Sequence, residues 1–287
     1  MPSAMSGTFQ SPDRLPFALR LLQAWEFPRQ LGLCERLFGR RLAALGVTWL
    51  RTAPGLVWRL DLTNPTHRWI VYGSYEGPGF WRWFRRQPAP AAIVDSGAII
   101  GQAVRYFACY APAARIYAYE PGAGAREWLA ACLAANRLDR VHLSPSALGA
   151  SPGRAFPHDH PDSSLHGSWN HVNAASGAPV DVTTLDAEIA RHAITEVSLW
   201  KLDLEGYELP ALQGAANALA AGRIRAIHME VSGEPDSRAG HDLLCAHGYS
   251  PYRLTAAGRL RPPAGAIAYE NILFLAPGHP DSLGAPA

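Results

Sequence analysis

Lysine is almost missing from this 287-residue chain: of 26 cationic residues, 25 are arginine and only Lys201 is lysine. Cysteine is scarce, and Cys34, Cys109, Cys132 and Cys245 lie far apart with no CxxC pair. That spacing reads as free thiols in a reducing compartment. Charge is thin as well. Charged residues make up 17% of the chain and leave a net +2, too even for an electrostatic nucleic-acid binder. No apolar run reaches the roughly 18 residues of a membrane-spanning helix. The segment MPSAMSGTFQSPDR lacks the basic and apolar regions of a secretory signal. Hydrophobic residues are plentiful, at 48%. A chain of this length buries roughly 75% of its unfolded surface and needs no disulfide or metal staple. The expectation is a soluble, cytoplasmic, globular protein.

The pattern along the chain has two textures. From Phe17 to Leu45 apolar residues recur at helical spacing, interrupted at Pro28, which predicts two short helices. VWRLDL (57–62) and HRWIVYG (67–73) predict a strand hairpin around Asn64-Pro65, and FWRWFRR (80–86) a short helix. After Pro88 and Pro90, strand-like and helix-like segments alternate. The strand candidates are AAIVDS (91–96), RIYAYE (115–120), VHLSPSAL (141–148), EVSLWKLDLE (196–205), IRAIHMEV (224–231) and ENILFLAP (270–277). Helical periods separate them, so the fold class is α/β with a mostly parallel, doubly wound sheet. Residues 150–180 break this rhythm. That stretch carries His158, Asp159, His160, Asp162, His166 and His171 in a Pro/Gly/Ser-rich setting. It reads as a solvated loop over the strand ends, suited to an acceptor-binding lid, and no metal site is expected there.

Chemistry concentrates at the ends of the strand candidates. AIVDSGAIIGQ (92–102) is a strand ending in Asp95, a turn with Gly97 and Gly101, then a helix. In an open α/β sheet the ligand crevice lies beside this first turn. Glu120 closes the next strand, where a carboxylate can accept hydrogen bonds from both ribose hydroxyls of a nucleoside. The turn lacks the middle glycine of a dinucleotide fingerprint, which disfavours a nicotinamide oxidoreductase. The Asp-x-Gly-x-x-x-Gly order is instead that of S-adenosylmethionine (SAM) binding.

Further along, WKLDLEGYE (200–208) followed by LPALQGA resembles the K-x-D-x-E-G-x-E … L-x-G-A signature of FkbM-type methyltransferases. VDSGAIIGQ, AYEP, Leu129 and Asn136, SALG, SSL, VTTLD, IHME and HGYSPYRL follow the same family order. RLDLTNPTHRWIVYGSYEGPG is similar to that family's lead-in, so the resemblance spans about Trp58 to Phe274. One position departs: Ile99 stands where the family usually has Asn, and a β-branched residue tolerates positive φ poorly.

The resemblance implies a Rossmann-like class I methyltransferase fold with seven strands, the last antiparallel, behind an N-terminal helical and hairpin extension. Residues 1–55 would be the extension, 56–277 the methyltransferase domain and 278–287 a loose tail. It implies SAM as cofactor, held by Asp95, Gly97, Gly101, Glu120 and Ser146 of SALG. The activity implied is O-methylation of a hydroxyl on a sugar, glycan or secondary metabolite. With period two, Lys201, Asp203 and Glu205 share one side of the fourth strand, and His228 and Glu230 share one face of the fifth. These five are the catalytic candidates. Asp203 leads as the group that positions or deprotonates the acceptor hydroxyl. His228 is the alternative base, because imidazole titrates near neutrality. Lys201, as a compact ammonium, reads equally as a buried ion-pair partner. A second reading stays open: a degenerate Rossmann-like protein that binds a nucleoside or glycan, with Ile99 marking lost catalysis.

Overall fold

Backbone alternation sorts the side chains of the central strands into two apolar layers, one on each face of a twisted sheet. The computed structural model describes residues 15, 18–19, 30–52, 55–73, 76–155, 157–159, 170–172, 179–232, 234–265, 270–279 and 281. Helix α1 (Gln30–Ala43) leads to β1 (Val47–Arg51), β2 (Val57–Asp61), α2 (Pro65–Tyr72) and α3 (Gly77–Phe84). Then come β3 (Ala92–Ser96), α4 (Gln102–Tyr110), β4 (Arg115–Tyr119), α5 (Ala123–Ala135) and β5 (Val141–Ser144). Short strands β6 (Ala147–Leu148), β7 (Gly153–Ala155), β8 (Pro157–Asp159), β9 (Asn170–Val172) and β10 (Val180–Thr183) precede α6 (Leu185–Arg191) and β11 (Leu199–Leu202). The chain continues through α7 (Glu208–Gln213), α8 (Ala216–Ala220), β12 (Ala226–Val231), α9 (Pro235–Ala246), β13 (Ser250–Leu254), β14 (Leu260–Arg261) and β15 (Glu270–Leu275).

The main sheet has the order β14-β13-β15-β12-β11-β3-β4-β5. Strands β5, β4, β3, β11 and β12 run parallel, and β15 lies antiparallel between β12 and β13. Seven strands with the last one reversed are therefore present, and the two-residue β14 adds an eighth at the edge. Ile93, Val104, Phe107, Ile116 and Leu129 fill the layer on one face. Val94, Tyr117, Trp200, Ile227 and Met229 fill the other. Register then does the functional positioning. Lys201 on β11 faces Asp95 on β3 and His228 on β12, so three ionisable residues meet at the centre of the sheet.

Four details differ from the sequence reading. HRWIVY is helix α2, not a strand: the Asn64 side chain accepts from the Thr66 N–H, Pro65 occupies the first turn, and Gly73 closes the helix at φ 77°. The hairpin is instead β1 with β2, so it straddles residue 55. The fourth strand stops at Leu202, because the Glu208 carboxylate takes the Leu204 and Gly206 N–H groups and turns the chain out of the ladder. Strand β13 was not anticipated; Pro251 within it, and its five-residue length, hide its period. In the 150–180 stretch, β10 pairs with β6 and β7, and β8 pairs with β9. His160, Asp162 and His166 lie outside the described residues.

The N-terminal elements are tied firmly to the rest. Arg68 on α2 donates to both carboxylate oxygens of Glu35 on α1, at 3.0 and 2.5 Å, and Tyr72 adds a third bond at 2.8 Å. No helix among the described residues is long and apolar enough to cross a membrane.

Candidate active site

Two glycines shape the first turn. A side chain at Gly97 (φ 78°) would place its Cβ 2.1 Å from the Asp203 carbonyl oxygen, so only glycine lets β3 and β11 end so close together. Gly101 (φ 85°) would meet Leu129 and the Trp58 ring at 2.5 and 2.6 Å. Trp58 also donates its indole N–H to the Ile100 carbonyl at 2.7 Å, bracing the turn from β2. Between the glycines, Ile99 adopts φ 50°, the strained geometry expected for a β-branched residue there. Its N–H donates to Glu120 Oε2 at 2.8 Å, while Gly122 N–H donates to Oε1 at 2.7 Å. Glu120 thus fastens the turn to the start of α5. Burial raises its carboxyl from the usual range, and these two N–H bonds oppose that rise.

Asp95 is the most exposed to the physics of burial. It is 1% accessible, and neither carboxylate oxygen has a hydrogen-bond partner among the described residues. Burial, resisted by Lys201 and reinforced by Glu76, Asp203 and Glu120, lifts its pKa to about 7. A buried carboxylate without a donor is costly unless something cationic completes it. The orphaned Asp95 carboxylate, the glycine cradle and the strand-end Glu120 therefore fit an aminoacyl nucleoside such as SAM. Ser146, in the turn after β5, donates its N–H to Ser144 Oγ at 3.2 Å.

Lys201 sits at the centre. Its Nζ lies 2.8 Å from Asp203 Oδ2 and 3.3 Å from Glu76 Oε1, and the side chain is 2% exposed. Sequence reasoning missed Glu76. It lies in the turn before α3, at φ 62°, and its Oε2 approaches His228 Nδ1 at 3.4 Å. A Gly-Pro-Gly turn following it, and Phe80 four residues on, were the available signals. His228 stacks on Phe80 with ring centroids 4.0 Å apart. Here the structure corrects the near-neutral histidine: burial, with Lys201 beside it, pushes His228 down to about 3, so it stays uncharged. Within this group Asp203 alone keeps appreciable access, at 21% of its side chain.

Beyond the strand ends, Asp203, Glu205 and Glu230 bring carboxylate oxygens within 4.8 Å of one another, a spacing that can hold a cation or a shared proton. Glu205 does not continue the β11 alternation; it turns at φ 54°. Burial and the neighbouring Asp203, Glu230 and Glu208 lift its pKa to about 9, which favours the proton. The folded protein then holds Glu205 neutral while the unfolded chain ionises it above about pH 4.5, so the residue costs stability that grows from there towards pH 9. Glu205→Gln is expected to raise stability by about 1–3 kcal/mol at pH 7.5 and by nothing below pH 4. Thermal melts across pH test this. A parent protein that gains as much from millimolar Mg²⁺ would place a metal there instead.

A separate cavity of about 290 Å³ opens between Trp83, Pro90, Leu199, Arg225 and His279. It lies by the amino ends of the strands, and none of the site residues lines it.

The strand order, with five parallel strands, a reversed final strand and a glycine turn after β3, defines a class I methyltransferase fold. Residues 95–251, more than half of the chain, match the family described as the methyltransferase FkbM domain. The chain belongs to the FkbM methyltransferase family. No curated protein matches it. Solved structures similar to it include an O-methyltransferase from Bacillus cereus in complex with SAH, at 12% identity over 69% of this chain and 78% of that one, TM-score 0.43. A putative O-methyltransferase from Klebsiella pneumoniae aligns at 13% identity over 69% and 79%, TM-score 0.42. M. jannaschii TYW2 in complex with AdoMet aligns at 12% identity over 80% and 84%, TM-score 0.39.

Proposed function

We propose that this chain transfers a methyl group from SAM to a hydroxyl of a sugar, glycan or secondary metabolite. The observation that carries the reading is the buried, unpartnered Asp95 carboxylate beside the Gly97 turn and Glu120. SAM supplies an electrophilic methyl on a sulfonium when bound. The chain's own task is positioning, which is worth about 7–11 kcal/mol when two reactants are held in line. Asp95 provides a negative charge for the cationic part of the cofactor, and Glu120 accepts from the ribose hydroxyls. Asp203 takes the hydroxyl proton: Lys201 holds Oδ2, and the Asp203 side chain keeps 21% of its surface accessible. A base of this kind contributes typically 10²–10⁴-fold. His228, held neutral, orients the acceptor and carries no net charge through the reaction. Glu230 and Glu205 line the same pocket. We take residues 56–277 as the catalytic domain, residues 1–55 and 278–287 as flanking segments, and the cytoplasm as the site of action.

The test exploits Asp95. A cationic ligand binds the ionised carboxylate, and Asp95 holds a proton below about pH 7. SAM binding must then expel that proton, so its Kd should rise up to about tenfold per unit as pH falls from 7 to 5.5. Asp95→Asn should bind weakly with a flat profile. Calorimetry measures both. Affinity that weakens as pH rises through 7 would assign a protonated Asp95 to the methionine carboxylate, and absence of SAM binding at any pH would leave the degenerate reading in place.

A further inference from the structure

Glu76 lies upstream of the family-matched residues 95–251, yet it reaches the middle of the site. Its backbone is left-handed, a conformation that costs a non-glycine residue free energy and persists where the surroundings impose it. Its side chain is 4% exposed and spans two partners on adjacent strands, Lys201 Nζ at 3.3 Å and His228 Nδ1 at 3.4 Å. Phe80 follows at i+4, the spacing that puts two side chains on one helical face, and stacks at 4.0 Å and 24° on the same imidazole. A single segment therefore lies against His228 at its edge, where Glu76 Oε2 approaches Nδ1 without hydrogen-bond geometry, and stacks on its face.

We infer that Glu76 is a positioning residue that fixes the neutral tautomer of His228, with the hydrogen on Nδ1 and the lone pair on Nε2. The reasoning is electrostatic. Lys201, in register beside it, and burial keep His228 uncharged, so only two tautomers compete. One of them sets the positive hydrogen of Nδ1 within range of the Glu76 carboxylate, though not in hydrogen-bond geometry; the other sets a lone pair there, against a negative oxygen. Water favours the hydrogen on Nε2, so the protein has to impose the reverse, and among the described residues Glu76 is the acidic group within 4 Å of Nδ1. Asp203 is bonded to Lys201 and acts on His228 at longer range. The consequence is that His228 presents an acceptor for the hydroxyl of the methyl acceptor rather than a second donor. This deepens the methyl-transfer reading and rests on it for its effect on turnover, whereas the tautomer itself does not.

The experiment is a long-range ¹H–¹⁵N spectrum of the imidazoles at pH 7, with His228 assigned by its loss in His228→Gln. In the parent protein, Nδ1 should resonate in the protonated range and Nε2 in the unprotonated range. Glu76→Gln should invert the pair. Its one amide oxygen goes to the charged Lys201, which leaves the amide N–H facing Nδ1 and moves the imidazole hydrogen to Nε2. Glu76→Asp, which keeps the charge, should retain the parental tautomer. A parent spectrum with the hydrogen on Nε2 overturns the inference outright, even if neither variant folds. A folded Glu76→Gln protein with the parental tautomer overturns it as well. Calorimetric SAM binding by the parent, run alongside, keeps failure of the tautomer separate from failure of the methyl-transfer reading.

Discussion

Lys201→Met is expected to lose about 3–5 kcal/mol of stability at pH 7, because it strips the cation from a buried group of carboxylates. The lysine is 2% exposed, bonds Asp203, pairs with Glu76 and faces Asp95 across the β3–β11 register. Methionine keeps the volume and the apolar stem but leaves these acids without a counter-charge. The deficit should shrink as pH falls. Without Lys201 the buried carboxyls have folded-state pKa values above their unfolded ones, so they take up protons on acidification, which relieves the penalty in the folded state. Melting curves at pH 5 and pH 8 should therefore converge on the parent's at the lower pH. Lys201→Arg should recover part of the loss, since it restores charge but forces a planar fork into the space of a compact ammonium. A Lys201→Met protein that melts with the parent at both pH values would mean the acids are already neutral, and the proposed base with them.

Glu120→Ala should weaken SAM binding by about 10²–10⁴-fold. Two hydrogen bonds to a charged acceptor are at stake, each worth roughly 1.5–3 kcal/mol. The carboxylate has two duties: it accepts from Ile99 and Gly122, and in the proposed complex from the ribose. Its loss therefore also loosens the turn. Calorimetry gives the affinity and melting gives the stability cost, so the two duties separate. Affinity equal to the parent's would remove Glu120 from the cofactor site.

The catalytic half of the fold was legible because its period is unambiguous. AIVDS, RIYAY and AIHMEV have apolar residues on both faces, as strands sandwiched between helices must, and they became β3, β4 and β12. The family motif placed Asp95, Gly97, Glu120, Lys201 and Asp203 in one neighbourhood, where the register puts them. The N-terminal half was harder. Asn64-Pro65 is a turn signal and also a helix start, and local sequence does not choose between them; the Asn64 cap does. His228 was read with a near-neutral titration that the structure overturns, because a pKa is a property of surroundings and the Phe80 ring and Lys201 come from other elements. Glu76 was beyond reach for the same reason. The Gly-Pro-Gly after Glu76 and Phe80 four residues on mark a special turn, but they do not say that its carboxylate will lie between two strands that begin more than a hundred residues later.

Helix α3, which carries Phe80 one turn after Glu76, is clasped from the far end of the chain. Arg82 donates to the Ala256 carbonyl at 2.5 Å, Arg86 to Ala257 at 3.1 Å, and Trp83 to Asp281 at 2.7 Å, across sequence gaps of 174, 171 and 198 residues. Gly79 is pressed so close to Thr255 that a Cβ would lie 2.3 Å from its carbonyl oxygen. Contacts this distant form late, because loop closure must come before they can contribute. At roughly 5–20 residues per second, synthesis needs on the order of ten to forty seconds to pass from Glu76 to Asp281. For most of that interval α3 leans on α4 alone, through Phe80 and Phe84 against Phe107 and Trp81 against Tyr106. The nascent chain can assemble its cofactor turn well before it can assemble the pocket for the acceptor, so competence for methyl transfer arrives only with the last strands.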